Sequence, residues 1–304
     1  MTSQTLQKKK ILFIVNPSSG KKKSDLLTQS IQKEIDIKIF DIEIVYTAYA
    51  RHAVKLSRQA VADGFDIIVA AGGDGTINEV AGEIIDRETV LGIIPMGSGN
   101  GLARHLGIPR QIEKAVRLIN QFDITKIDTC SVNQVHFVSI AGIGFDALVA
   151  KHFARNERRG FMGYFNVVAN KYLKYKPKKY QIVFANGNKL TTRALFVAFA
   201  NSNQFGYNTT IAPNARLTDG LIDVCIVKKP MLVSIPIIAN LLLLNKINLA
   251  NDVSIVQTPY LSVTQSRNRV VNIDGEPIRI AKKLNIKINP LSLRVIINKE
   301  DAKI

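Results

Sequence analysis

Short β-branched runs alternate with helically spaced apolar positions from Ile11 to Asn120. Ile11–Val15, Ile42–Tyr46, Ile67–Ala71 and Val90–Ile94 are bounded by polar or turn residues and predict strands. Leu26–Ile35, Ala53–Asp63, Ile77–Ile85 and Ile112–Asn120 place apolar residues three and four positions apart and predict helices. This order implies a largely parallel sheet covered by helices, with ligands at the carboxyl ends of the strands. After Ile124 the spacing changes. Gln134–Ile140, Tyr180–Ala185, Leu190–Ala200, Leu221–Val227, Tyr260–Thr264, Val270–Asp274 and Asn285–Asn289 are strand-like, and Asn186-Gly187-Asn188 is a hairpin signal. A sandwich-like second domain with few helices is expected. The expected division is 8–128 for the α/β domain and 129–292 for the β-rich domain, with the strand in 293–304 free to return to the first.

The third strand breaks into Gly72-Gly73-Asp74-Gly75-Thr76, and the apolar pattern resumes at helical spacing through Ile77, Val80, Ala81, Ile84 and Ile85. Glycines let the backbone approach a bulky anion, and the unpaired N–H groups of a helix start attract phosphate. Asp74 and Thr76 add an acid and a hydroxyl. Glycine-bearing exits also follow the first strand, through Asn16-Pro17-Ser18-Ser19-Gly20, and the fourth, through Pro95-Met96-Gly97-Ser98-Gly99-Asn100-Gly101. Any one is also an ordinary connector. Three on neighbouring strand ends fit a di- or triphosphate, most simply that of a nucleotide. Walker A is absent, because the glycine it needs five positions before Gly20 is Val15. Gly142-Ile143-Gly144-Phe145-Asp146-Ala147 imitates a dinucleotide fingerprint without the βαβ context. His52, His105, His136 and His152 share no metal-ligand spacing, and neither cysteine lies in a reactive motif.

A chain of 304 residues that is 46% hydrophobic has material for more than one core. Cys130 and Cys225 form no CxxC and suggest no disulfide framework, which fits a reducing cytosol. The lysines before Ile11 precede too short an apolar stretch for a signal peptide. The longest apolar segment, Met231 to Leu244, falls short of a membrane span and carries Pro236 and Asn240. It is expected to be a buried helix, with contact to a membrane surface as the alternative. The net charge of +17 calls for an anionic partner such as nucleic acid, anionic lipid or a phosphorylated metabolite. Basic residues are densest over 151–179, where Phe153, Phe161, Tyr164, Phe165, Tyr172 and Tyr175 are interleaved. The helical spacing predicts an amphipathic helix with a solvated basic face, which also suits an anionic bilayer. No nucleic-acid motif accompanies the charge, so nucleic acid is not an expected partner.

Two acidic turns mark the β-rich half, Thr218-Asp219-Gly220-Leu221 and Asp274-Gly275-Glu276, each also a plain hairpin signal. Together with Asn16-Pro17, the 72–79 run, the 95–100 run and Gly142 through Asp146, they make the chain resemble the diacylglycerol kinase catalytic-domain family. That family includes bacterial lipid kinases and sphingosine and ceramide kinases, and the likeness covers nearly the whole chain. It implies an N-terminal α/β domain like that of NAD kinases and phosphofructokinases, a C-terminal β-sandwich, and an active site in the cleft between them. It implies ATP contacts from Asn16, Thr47, Gly72, Gly73, Asp74, Gly75, Thr76, Ile77, Asn78 and Ser98. Glu276 matches the family's base, which takes a proton from the lipid hydroxyl, and Asp74 is its catalytic companion. Arg216, Asp219 and Leu221 match a magnesium loop in which the first and third ligate through carbonyl oxygens. Asp74 and Asp128 match acids that place the catalytic magnesium. Asp146 aligns with an acid that meets the amine headgroup in sphingosine kinases.

The expectation is therefore transfer of the ATP γ-phosphate, with Mg2+, to a hydroxyl of a membrane lipid of diacylglycerol or sphingoid type. Such chemistry needs phosphate contacts, a metal ion and an oriented hydroxyl, with little covalent work from the protein. The expected setting is the cytoplasmic, inner face of an anionic membrane, with the protein held peripherally. Two positions depart from the family: Gly101, where bacterial diacylglycerol kinases usually carry Asp, and Arg51, where Gly is usual. The alternatives are a soluble small-molecule kinase of the NAD kinase type and a catalytically inactive nucleotide-binding regulatory protein. The residues do not name the lipid, and pairing into a homodimer stays open.

Overall fold

Parallel strands buried on both faces need no polar alternation, and this is how the N-terminal runs fold. The computed structural model describes residues 8–19, 21–153, 161–206, 209–266 and 269–302. Two compact units emerge: residues up to Ile127 with those from Ser292 onward, and Asp128–Leu291. In the first, β1 (Lys9–Val15), α1 (Lys21–Glu34), β2 (Phe40–Tyr46), α2 (His52–Ala62), β3 (Ile67–Gly72), α3 (Asp74–Ile84), β4 (Val90–Pro95), α4 (Gly101–His105) and α5 (Ile112–Gln121) follow in order. The strands lie as β2-β1-β3-β4, all parallel. Their carboxyl ends are level, since Val15 faces both Tyr46 and Ala71, and Gly72 faces Pro95. Four loops are thereby delivered to one edge. β3 and β4 are buried at every position. The five-residue α4 is too short to show a helical period, and the sequence pattern did not reveal it.

The second unit is β-rich. Along the chain come β5 (Ile124–Val132), β6 (Val135–Phe137), β7 (Ile140–Gly144), α6 (Phe145–Phe153), α7 (Phe161–Tyr172), β8 (Lys178–Phe184), β9 (Lys189–Ala194) and β10 (Phe196–Ala200). They are followed by β11 (Gln204–Gly206), β12 (Thr209–Thr210), β13 (Ile222–Val227), α8 (Ile235–Leu243), β14 (Val253–Thr258), β15 (Tyr260–Thr264), β16 (Arg269–Ile273), β17 (Glu276–Ile280) and β18 (Lys283–Ile296). One antiparallel sheet runs β14-β13-β10-β7-β16-β17. It faces a layer built from β9, β8, β15 and the first part of β18. Between them pack Val197, Phe199, Val224 and Ile226 from one sheet against Tyr180, Ile182, Leu261 and Ile286 from the other. The period of two shows plainly in β10, whose Ala198 and Ala200 turn to the opposite face, toward Ile238, Leu241 and Leu242.

Several expected strands are divided or joined. The 134–140 run is two strands parted by a bend, and 190–200 breaks at Leu195. There the Leu195 N–H bonds to the Val227 carbonyl at 2.7 Å and its carbonyl accepts from Phe145 N–H at 2.9 Å. Conversely, 285–289 and 293–296 belong to the 14-residue β18, which passes Pro290 by placing Leu291 at φ 48°. Its final residues lie in the first unit, where Val295 pairs in parallel with Leu91 of β4. The expectation of a buried helix over 231–244 is wrong: α8 has no buried residue. Apolar composition alone does not specify what covers a helix. Among the described residues, no helix is long and apolar enough to cross a membrane. Residues 154–160 of the basic segment, and the side chains of Phe161, Tyr164 and Phe165, lie outside what is described.

Candidate functional site

In the first unit, the three glycine-bearing loops lock onto one another at the strand ends. Asn16 follows β1; its N–H bonds to the Ala71 carbonyl at 2.9 Å and its side-chain amide donates to the Thr76 hydroxyl at 3.0 Å. From the loop after β4, Met96 and Gly97 both donate to the Gly72 carbonyl, at 2.8 and 3.1 Å. The two glycine loops touch so closely that a Cβ on Gly97 would lie 2.6 Å from the Gly73 Cα. Asp74 opens α3 and grips the same loop, accepting from Asn100 N–H at 2.8 Å and Gly101 N–H at 2.7 Å. Burial raises its carboxyl above the ordinary range, opposed by those donors and by the Arg104 charge. A Cβ at Gly99 would meet the Asp74 carboxylate at 2.6 Å, so the glycine there is a packing requirement.

Thr47 joins this edge through its N–H, 2.9 Å from the Val15 carbonyl, and Ser98 is exposed in the 96–101 loop. Ile77 is buried in α3 as core, while Gly75 and Asn78 lie on the same helix start. The N–H groups of a first helical turn have no partner within the helix, so this edge carries anion-binding capacity. Lys23, which the sequence reading did not single out, adds a cation: its ammonium donates to the Met96 carbonyl at 2.8 Å. Within Lys21-Lys22-Lys23 nothing in the sequence distinguishes it. Arg51 sits at φ 65°, the left-handed region that explains the usual glycine, and its N–H bonds to Glu79 at 3.1 Å.

Three places in the second unit bring acids to notice. Asp128 accepts from Gly220 N–H at 2.8 Å and Leu291 N–H at 2.7 Å, beside the loop in which Asp219 accepts from Leu221 N–H at 3.0 Å. Burial raises the carboxyls of Asp128 and Asp223, the latter to about 6, and the charge of Asp219 raises both further. A cation would relieve that excess. Among the described residues no three His, Cys, Asp or Glu side chains converge as a metal set, so an ion here would lean on main-chain carbonyls such as those of Arg216 and Leu221. Carboxylate and carbonyl oxygens are the ligands hard cations prefer.

The Asp274-Gly275-Glu276 turn has left-handed residues at its centre, Asp274 at φ 45° and Gly275 at φ 92°. Asp274 is buried and accepts from the N–H groups of Val138, Ser139 and Ile140, at 2.8, 3.0 and 2.8 Å. Glu276 is exposed on the far side of this turn. Asp274 was read as part of the hairpin signal, and its three donors fix the position of Glu276. Two residues back, the Asn272 amide donates to the Asp146 carboxylate at 2.8 Å. Asp146 is buried, which pushes its carboxyl up to about 6 against the pull of that hydrogen bond. A Cβ at Gly142 would collide with this carboxylate, and Gly144, at φ 100°, lies under Leu195 and Tyr180. The glycines of the apparent dinucleotide fingerprint therefore serve packing. Among the described residues, Asp146 is the one charged residue lining a cavity of about 540 Å³, whose other walls include Phe145, Tyr172, Phe196, Ile211 and Ile238.

The chain thus combines an α/β unit whose glycine-bearing loops interlock at the strand ends with a β-sandwich unit that holds an apolar cavity. A family model of the diacylglycerol kinase catalytic domain matches residues 10–132, and one of the YegS C-terminal NAD kinase beta sandwich-like domain matches 139–297. A diacylglycerol kinase of Bacillus subtilis (strain 168) is 29% identical over 275 residues, covering 88% of this chain and 90% of that one. A "Probable lipid kinase YegS-like" of Pseudomonas aeruginosa (strain UCBPP-PA14) is 31% identical over 255 residues, 80% of each chain. The crystal structure of a diacylglycerol kinase from Bacillus anthracis str. Sterne superposes with a TM-score of 0.77 at 24% identity, covering 96% of this chain and 98% of that one, and shares the fold. The chain belongs to the diacylglycerol kinase catalytic-domain family of lipid kinases.

Replacing Asp274 by alanine leaves three buried N–H groups without acceptors, a loss of about 3 kcal/mol or more; chemical denaturation measures it, and a change under about 1 kcal/mol removes Asp274 as the anchor. Asp146 gives a pH signature. Its raised pKa means the folded chain binds more protons than the unfolded chain between pH ~4 and ~6, so stability falls as pH rises through that window. Asp146→Asn should be more stable than the parent at pH ~8 by roughly 1–3 kcal/mol, and the gap should close toward pH ~4. Thermal unfolding at both pH values tests this, with a pH-independent difference as the contrary result.

Proposed function

We propose that this chain is an ATP- and magnesium-dependent kinase that phosphorylates a hydroxyl of a membrane lipid at the inner, anionic face of a membrane. The observation that carries the reading is the 540 Å³ apolar cavity whose charged residue, Asp146, is bonded to the strand that ends in the Glu276 turn. An apolar chain fits such walls, and a hydroxyl or ammonium donor at its polar end suits the Asp146 carboxylate. The nucleotide phosphates bind the edge formed by Asn16, residues 72–78 and Ser98, with the start of α3 and the Lys23 ammonium supplying positive ends. Glu276 accepts the proton of the lipid hydroxyl as that oxygen bonds to the γ-phosphorus. The bond to the β–γ bridging oxygen breaks, and ADP leaves. Asp74 and Asp128 each have both oxygens engaged by main-chain N–H groups, so their part is to hold loops in place while retaining acceptor capacity toward a metal. Asp219 with the carbonyls of Arg216 and Leu221 would hold Mg2+, which supplies charge neutralisation.

Incubation of the pure protein with labelled ATP, Mg2+ and a total lipid extract should yield a labelled lipid, to be identified by mass spectrometry. Label on NAD instead of lipid would overturn the reading. Glu276→Gln should lower kcat by at least about a hundredfold while ATP affinity stays within about twofold, since a positioned base contributes roughly that much. Full turnover in the variant would remove Glu276 as the base.

A further inference from the structure

Helix α8 is apolar at every position but Asn240, a composition normally reserved for helices covered on most sides. Ile235, Ile238 and Leu242, three and four positions apart, line the 540 Å³ cavity. On the other stripe, Val233, Ile237 and Leu244 are 77, 61 and 64% exposed, and Met231 at the preceding turn is 73% exposed. The end of α7 is stitched to this region. The Tyr172 hydroxyl donates to the Pro230 carbonyl at 2.7 Å, and the Lys229 ammonium donates to the Leu173 and Tyr175 carbonyls at 3.3 and 2.9 Å. Leu173, 66% exposed, lines the same cavity as α8 and adds apolar surface at its rim. Such a contiguous patch on a protein surface marks an interaction site.

Charge identifies the occupant. No acidic residue lies between Glu157 and Asp219, nor between Asp223 and Asp252, so α7 and α8 themselves carry no acid, and Asp252, just before β14, is the acid whose charge reaches Tyr172. Lys174 and Lys176 beyond α7, Lys228 before the apolar turn and Lys246 after α8 are exposed around it. Apolar side chains ringed by lysines match the acyl boundary and headgroup layer of an anionic bilayer. We propose that Met231 through Leu244, with Leu173, inserts into the surface of an anionic membrane. One side of α8 would then lie in lipid while the other walls the cavity. The proposal rests on the lipid-acceptor reading for its purpose, while docking itself is measurable without turnover.

The chain contains no tryptophan, so Ile237→Trp installs a single reporter. Its emission should shift to the blue on adding phosphatidylcholine–phosphatidylglycerol vesicles. A tryptophan at Ile37, equally exposed at 65% but in the first unit, should not shift. Val233→Glu/Ile237→Glu alters only exposed positions and should keep its thermal midpoint. It should bind the same vesicles at least tenfold more weakly, and turn over a short-chain acceptor dispersed as monomers at the parental rate. Unchanged vesicle binding by this variant, or no blue shift at position 237, overturns the docking face. So does a dimer by light scattering that the variant dissociates without any vesicle binding by the parent. If vesicle binding falls as expected but no lipid is phosphorylated in either format, docking stands and the lipid-kinase reading fails.

Discussion

A carboxylate has several lone pairs to spend, and in this protein they are spent on main-chain N–H groups that would otherwise hold loops open. Asp274 takes three of them, from Val138, Ser139 and Ile140. Because these residues form the corner that leads into β7, the contact binds that corner to the turn after β16. Everything distinctive about the second unit then follows along two strands. β7 leads through Gly142 into the helix bearing Asp146, and β16 carries Asn272, which holds the Asp146 carboxylate in place. The same turn presents Glu276. An unmet buried N–H costs about 1–3 kcal/mol, so this arrangement tolerates few alternatives.

Asp74 applies the same device in the first unit, tying α3 to the loop after β4. There the close approach also dictates glycine at positions 97 and 99, where a Cβ would strike Gly73 or the Asp74 carboxylate. The glycines thus shape this loop edge by letting loops meet, and under the proposed function they would also leave room for an anion. Gly101 fits this account. Its N–H is a partner of Asp74, a role any residue but proline can fill, so the departure from the family pattern leaves the loop intact.

The legible part of this molecule was the part governed by periodicity. β1 to β4 and their helices follow from doubly buried apolar runs alternating with amphipathic ones, and the sandwich from shorter strands with turn signals. What escaped was governed by partners distant in sequence. The fingerprint at Gly142 gave no sign of α6, since its glycines answer to Asp146, Tyr180 and Leu195. β18 read as two strands, because Pro290 and Leu291 break the local pattern while the pairing continues past them. α8 read as buried, because hydropathy measures what a helix prefers and not what lies against it. Among the site residues, the glycine loops announced themselves, whereas Lys23 was hidden in a lysine triplet. Asp274 was hidden inside a common turn dipeptide.

The two units therefore present their ligands with opposite physics. The loop edge of the first is a surface of fixed dipoles and hydrogen-bond donors, where geometry is imposed by loops that interlock and, under the proposed function, an anion would be met by groups already oriented. The cavity of the second offers little direction: its walls are largely apolar, and among the described residues Asp146 is the one charged group lining it, with Thr209 a further polar one. A cavity of this kind has room for chains of several shapes, so under the proposed function selectivity for the acceptor would come from the polar end. That end is narrow in chemistry. A buried carboxylate with one amide donor gains most from a ligand that brings a second donor, and an ammonium would also bring the opposite charge. The glycine turn makes the interlocked loop edge of the first unit legible in the sequence, whereas the cavity of the second depends on contacts between residues far apart in the chain.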